Sequence, residues 1–520
     1  MAPARFAVIA MALACGCADS TAPAADDAGV PDSGVRDAAL DRAVDASFDA
    51  TSDAGTCVDG LKNGKETDVD CGGNCPVCDD GKDCAADTDC KVGTCFAGKC
   101  APRAWTLEST GNNVAIPGNQ TWIAAPGMTL SPTLVAPSLV SLRWTGTLRF
   151  GGGGNGICHV GQRFVIDGVP TGNPSWGDAI MVEHGATRWH ESFNDALAVP
   201  MTAGIHTVSV EMLNAQGYAT CYLDGDGGVA YDRSRLAIAA YDPQRAWAAE
   251  SNAETGFLGP TPGSWSAIPG VTATFNLTAT NHVQASLAGT QVVQGTGSAH
   301  CSYRFVVDGT PLGHPTYGQT IAVGDVAGGW WGPVALAYGG DLQAGSHVIS
   351  AQVSNSSGAG GTCNAGQGNN DYARFRMLVT ASPPGSPATS VESSGGPYVL
   401  GSASAWTTIG GLTATFNVPA RRHLQVELAA TERTISGSGH CAWRFSIDGT
   451  PLGDVDSGMA INVGDGATWW TPTPLLWGQT FDTGSHTVTA QVRNSSSSGD
   501  CGANGDAQPY GGARLLIRAP

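Results

Sequence analysis

The chain carries little charge, and least of the positive sign. Only 14 % of its 520 residues are charged, with 26 Lys and Arg against 45 Asp and Glu, giving a net charge of -19. Nucleic acids are held by basic faces, so a nucleic-acid partner is not expected. No run of ~18 or more apolar residues follows the N-terminus, so no membrane-spanning helix is expected. The usual signatures of catalysis are missing too. His190-Glu191 has no second His four residues after the first, so the HExxH zinc pattern is absent. There is no GxSxG elbow and no Walker loop. Recurring acids sit in Asp-Gly turns (Asp167, Asp308, Asp448), and Glu250, Glu254, Asp325, Asp341 and Asp371 form no recurring pair of the kind a glycosidase uses. The chain reads as a non-enzyme, with a secreted hydrolase as the residual alternative.

What the chain has in plenty is Gly, 72 residues, and a sentence spoken three times. RFVIDG at Arg163–Gly168 returns as RFVVDG at Arg304–Gly309 and RFSIDG at Arg444–Gly449. Each copy follows a cysteine (Cys158, Cys301, Cys441) and precedes a second one (Cys221, Cys363, Cys501), and each has a Gly-x-His turn between them at His206, His347 or His486. The repeats run over 101–243, 244–384 and 385–520. Copies two and three are close, WSAIPGVTATFN from Trp265 matching WTTIGGLTATFN from Trp406, while copy one diverges with WIAAPGMTLSPT from Trp122. Alternating runs such as TATFNL, Asp-Gly hairpin signals and a final apolar strand predict about eight short strands per copy. The expected fold class is all-β: three tandem jelly-roll-like antiparallel β-sandwiches, each closed by its own disulfide. A loop of about 60 residues closed by a bridge is worth about 4 kcal/mol of chain entropy. The bridge is expected to tie the RF-strand hairpin to the loop before the last strand.

Three segments precede the repeats. Residues 1–17 read as an export signal: Arg5, a short apolar run from Phe6 to Ala14, then Cys15-Gly16-Cys17. This resembles a bacterial lipoprotein signal, which implies a lipidated Cys17 or Cys15 and attachment to a membrane; ordinary cleavage and secretion is the alternative. Lipidation at Cys17 leaves fourteen cysteines, an even number. Residues 18–56 contain nine Asp, two Arg and one aromatic, a solvated acidic tether unable to bury a core. Residues 57–100 hold eight cysteines. In an oxidising compartment these favour four disulfides, with zinc at Cys75-x-x-Cys78 competing. The string CVDGLKNGKETDVDCGGNCPVC resembles a Cys-rich module of surface and secreted proteins of large-genome Gram-negative bacteria. Asp59, Asn63, Glu66, Asp68 and Asp70 offer oxygens to calcium, the one cofactor the sequence suggests.

The motif set VDG, then Ala-Gly-x-His, then a final hydrophobic strand resembles the jelly-roll domains of the C1q/TNF type and their relatives in phage tails and bacterial surface proteins. That resemblance implies trimers, hence an intramolecular pseudo-trimer of the repeats. The aromatic pairs Trp330-Trp331 and Trp469-Trp470, with Trp189 in copy one, are the candidate ligand platforms, and Asn370 and Asp371 the nearby hydrogen-bonding residues. Neighbours on a strand face opposite ways, so one ring of each pair is expected to point outward, where it can stack on a sugar. The expected partner is an extracellular glycan or surface polymer. The functional expectation is non-catalytic binding or adhesion at the outer membrane or cell surface; the alternative is a structural protein of a coat or appendage.

Overall fold

The computed structural model describes residues 57–110, 113–151, 157–184, 190–215, 220–223, 233–251, 263–295, 299–324, 330–356, 361–365, 374–394, 398–465, 469–497, 499–503 and 512–520. Residues 1–56, where the sequence leads one to expect an export signal with Cys15 and Cys17 and an acidic tether, lie outside them.

The Cys-rich module has little regular structure: a 3-10 turn at Asp87–Asp89 and a hairpin of Thr94–Phe96 with Lys99–Ala101. Four disulfides replace the core so short a segment cannot build. They join Cys57 to Cys75, Cys71 to Cys78, Cys84 to Cys95 and Cys90 to Cys100. Buried Asp89 takes the place of secondary structure, accepting from the N–H groups of Gly73, Ala85 and Ala86.

Each repeat is a sandwich of two antiparallel sheets. In repeat 2 the long central strand Asn281–Gly295 pairs with Trp330–Leu342, with Gly361–Ala365 and with the closing strand Arg376–Ser382, which also receives the entry strand Ala246–Glu250. The opposite sheet orders Ser266–Leu277, Gly345–Asn355, Ala299–Val307 and Thr320–Gly324. Repeats 1 and 3 reproduce the plan around central strands Ser138–Gly151 and Arg422–Ser436. The alternation predicted for TATFNL is there: Ala273, Phe275 and Leu277 face the core and Thr272, Thr274 and Asn276 face water. Each RF strand ends in a two-residue turn. Asp167-Gly168, Asp308-Gly309 and Asp448-Gly449 all have positive φ, 49–50° at Asp and 79–80° at Gly, the I′ turn that suits twisted strands.

The disulfides Cys158–Cys221, Cys301–Cys363 and Cys441–Cys501 cross each core from one sheet to the other. The second cysteine of each sits on a strand paired with the central strand, not in a loop. The expectation of a loop followed the polar, Gly-rich residues around it; ladder pairing of four or five residues was enough to override that composition.

The closing strands are buried on both faces: every residue of Arg235–Tyr241 and of Arg514–Arg518 is buried. One face belongs to the sandwich core, so something covers the other. The covering surfaces are the other repeats. The strand Ala179–His184 of repeat 1 lies against Trp330–Leu342 of repeat 2; Thr320–Gly324 of repeat 2 lies against Trp469–Phe481 of repeat 3; Ala460–Asp465 of repeat 3 lies against His190–Met201 of repeat 1. The same pair of elements thus meets three times and the contacts close in a cycle. Polar contacts repeat along it. The Gln284 amide donates to the Ile517 carbonyl at 3.0 Å, and Gln425 donates to Ile238 at 3.0 Å. Arg376 donates to the Asp178 carbonyl at 3.2 Å, and Arg235 to that of Met459 at 2.9 Å. Where Arg143, Ser286 and Glu427 occupy matching places on the central strands, Arg143 pairs with Glu427, which also accepts from Arg518 at 2.9 Å. Burial works to raise the Glu427 pKa, but the two guanidiniums outweigh it and hold the carboxylate below its ordinary range.

Candidate binding surface

The loop after each I′ hairpin is built by one recurring device. In repeat 1 the Asn173 side chain accepts from the N–H of Ser175 at 2.8 Å and of Trp176 at 3.2 Å. His314 does the same in repeat 2 with Nδ1, accepting from Thr316 and Tyr317 at 3.2 Å each, which places its proton on Nε2. Asp454 does so in repeat 3, accepting from Asp456 and Ser457 at 2.8 Å. Three different residue types supply one acceptor, the requirement of a turn of this kind.

A tryptophan clamps each loop. Trp122 donates its indole N–H to the Pro174 carbonyl at 2.9 Å, Trp265 to Pro315 at 2.7 Å and Trp406 to Val455 at 2.8 Å. The arginine of each RF motif lies over the same ring: Arg163 at 4.0 Å, Arg304 and Arg444 at 4.1 Å from the centroid. Each arginine is held from its other side at 2.8 Å by Glu211, Gln352 or Gln491. A glycine at positive φ lets the ring in. At Gly177 (φ +81°) a Cβ would lie 2.1 Å from the Gln162 carbonyl oxygen and 2.8 Å from the Trp122 ring, and Gly318 and Gly458 are alike. In repeat 1, Trp122 and Trp176 line an open cleft of about 570 Å³ with Gln120, Pro174 and Ser175. In repeat 2 Tyr317 replaces Trp176 and stacks on His314, centroids 5.0 Å apart. Repeat 3 has Ser457 there, with no aromatic ring.

These clamp tryptophans were not among the residues singled out in the sequence. Their signal was present, a Trp at one offset before the bulged strand in all three copies, but it served only to align the repeats. The Trp pairs that were singled out begin a strand of the cycle. Trp330 and Trp331 pair with Val293 and Val292, and Trp469 and Trp470 with Thr434 and Arg433. Trp331 is also paired with Val182 of repeat 1. Trp189, Asn370 and Asp371 lie outside the described residues.

The recurring histidines pair with the Asp of the I′ turn. Nδ1 of His206, His347 and His486 is 2.8, 2.7 and 2.7 Å from Asp167, Asp308 and Asp448. Nε2 meets the carbonyl of Thr202, Gln343 or Asp482 at 2.9, 2.8 and 2.8 Å. Two acceptors favour the doubly protonated ring. The carboxylate hydrogen bond raises the pKa of His206 and His347; in His486 burial is the largest single effect and opposes the rise without cancelling it. The same bond lowers Asp167, and in Asp308 and Asp448 the histidine and a backbone N–H together outweigh burial. The pair ties one hairpin to the next strand.

In the Cys-rich module the candidate calcium ligands are spent on backbone. Asp70 accepts from the Gly60 N–H, Asp59 from Leu61 and from the Asn63 amide, and Glu66 from the Asn63 N–H. Asp68 accepts from Asp83 and Val69, which with Lys82 lower its pKa to about 2. Among the described residues no three of these carboxylates gather; the clusters of three ligating groups, Cys84-Cys90-Cys100 and Cys57-Glu66-Cys75, consist of disulfide sulfurs apart from Glu66.

No family model and no curated protein matches the chain. Among solved structures, PNGF-II aligns over 70 % of this chain and 99 % of that one at 8 % identity and a TM-score of 0.20. The tandem CBM22-1–CBM22-2 domain of Paenibacillus barcinonensis Xyn10C aligns over 55 % and 100 %, at 11 % identity and a TM-score of 0.12. A structure of infectious bursal disease virus, Gx strain, aligns over 80 % of each chain at 10 % identity and a TM-score of 0.15. Scores this low bear on neither the fold nor the function of this chain.

Proposed function

We propose that the chain is a non-catalytic extracellular binding protein for carbohydrate, exported and held at the cell surface by a lipid on Cys17 or Cys15, with the repeats raised on the acidic tether. The observation that carries this reading is the aromatic cleft of repeat 1, where Trp122 is fixed in place and Trp176 stands beside it with the Gln120 amide, the pairing of flat apolar faces and hydrogen-bonding groups that a sugar ring demands. Repeat 2 offers Tyr317 at the matching place. Related weak sites on one molecule gain avidity without new contacts. The closed cycle of inter-repeat contacts favours reading the three sandwiches as an intramolecular pseudo-trimer; a scattering profile of an extended string of domains would count against it.

A glycan array probed with the mature chain beside Trp176→Ala and Tyr317→Ala variants tests the reading. Binding by the parent that the variants lose supports it, and silence from a folded parent overturns it. The second reading, a structural module of a coat or appendage, is favoured by the pairing of Trp331 with repeat 1, which makes that Trp strand part of an interface. Under it the array stays silent, and Trp331→Ala lowers stability rather than binding.

A further inference from the structure

The ends of the three closing strands, at Tyr241, Ser382 and Ala519, converge on a cavity of about 410 Å³, and the Cys-rich module lies over it with Phe96 and Asp87. In a chain with a net charge of -19 its lining gathers three arginines, Arg103, Arg245 and Arg422, beside Asp87, Asp242 and the carboxylate of Pro520. Two of the carboxylates have hydrogen-bond partners of their own. Asp87 pairs with Arg422 and accepts from the Cys95 N–H at 2.9 Å; Asp242 accepts from the Gln244 N–H at 2.9 Å. Arg103 is left over. Its guanidinium rests on the Phe96 ring, 3.9 Å from the centroid, and its buried Nε and Nη2 have no hydrogen-bond partner among the described residues. The buried Nε of Arg422 has none either. Burial, joined by repulsion from Arg422, outweighs the nearby Asp242, Tyr241 and Asp87 and lowers the Arg103 pKa to about 10. Arg245 stands exposed beside it.

We propose that this cavity is an anion site, in which Arg103 and Arg245 hold the carboxylate, phosphate or sulfate group of a molecule no larger than a sugar. A guanidinium presents parallel N–H donors that fit two oxygens of such a group. The site is separate from the Trp122 cleft and shares no residue with it.

The test is thermal unfolding of the disulfide-intact mature chain in glucuronate, phosphate or sulfate, each against chloride at matched ionic strength, with glucose as the uncharged control. A saturable rise in Tm with glucuronate alone assigns an acidic sugar, and one with phosphate or sulfate alone assigns the inorganic oxyanion; either supports the site. Arg103→Gln and Arg245→Gln are each expected to weaken the response about tenfold. If Arg103→Gln does not fold, Arg245→Gln decides. A rise equal to that in chloride, or one untouched by the variants that fold, overturns the proposal.

Discussion

Among single residues, Glu427 is the most exposed to damage by substitution. It is a buried carboxylate serving Arg143 of one repeat and Arg518 of its own, and Arg518 reaches on to Thr380 of a third at 3.2 Å. Removing the anion leaves two buried cations facing each other, so Glu427→Ala should cost about 3–5 kcal/mol in urea unfolding. An unchanged midpoint would mean water already screens the trio. The three His–Asp pairs make a milder statement about pH. Each His has its pKa raised above the ordinary 6.5, so its contribution is complete below about that value and fades as pH climbs through the folded pKa. Each Asp is lowered below 3.8, so its contribution is complete above that value and fades as pH falls through its folded pKa. Stability should therefore hold a plateau from about pH 4 to 6.5 and decline on both the acid and the alkaline side. A triple His206→Gln, His347→Gln, His486→Gln variant should flatten that alkaline decline in a pH series of Tm; an identical slope would assign the decline to other groups.

At the scale of elements, strands and turns were legible because their signals are local. The alternation in TATFNL and the Asp-Gly dipeptides set side-chain face and turn type with no help from the rest of the molecule. The clamp loops were not legible, because Trp122 and Gly177 are far apart in sequence and their meeting is decided by tertiary packing. Gly177→Ala puts a methyl against the Gln162 carbonyl at positive φ, an expected loss of about 1–3 kcal/mol. The more telling readout is fluorescence, since expulsion of Trp122 from its clamp shifts emission to the red; an unshifted spectrum would show that the loop bends instead. Each inter-sheet bridge can be tested alike. A Cys301→Ser, Cys363→Ser variant should unfold about 4 kcal/mol more easily, the chain entropy of a closed loop of about 60 residues. The placement of the second cysteine on a strand escaped sequence reading for the reason the clamps did: the strand exists because the central strand offers a ladder, not because its residues favour one.

For the whole molecule, the repeat number was legible, whereas a packing of the repeats around one another was implied only by the jelly-roll resemblance, and no motif marked which strands meet. The clue in the sequence was the apolar closing strand, RLAIAA or RLLIRA, too uniformly hydrophobic for a sheet with one wet face. Deleting residues 385–520 should strip cover from the closing strands of the other two repeats. The shortened chain is then expected to self-associate, read by light scattering after gel filtration, and a monodisperse monomer would show that the repeats do not depend on one another. The trio of Arg143, Ser286 and Glu427 carries a further consequence. In an assembly of three identical subunits, one position supplies three copies of one side chain, and three glutamates or three arginines at such quarters would repel. A single chain escapes that constraint. Within one chain the matching places can differ, and here an arginine meets a glutamate, so the junction is keyed by complementary charge.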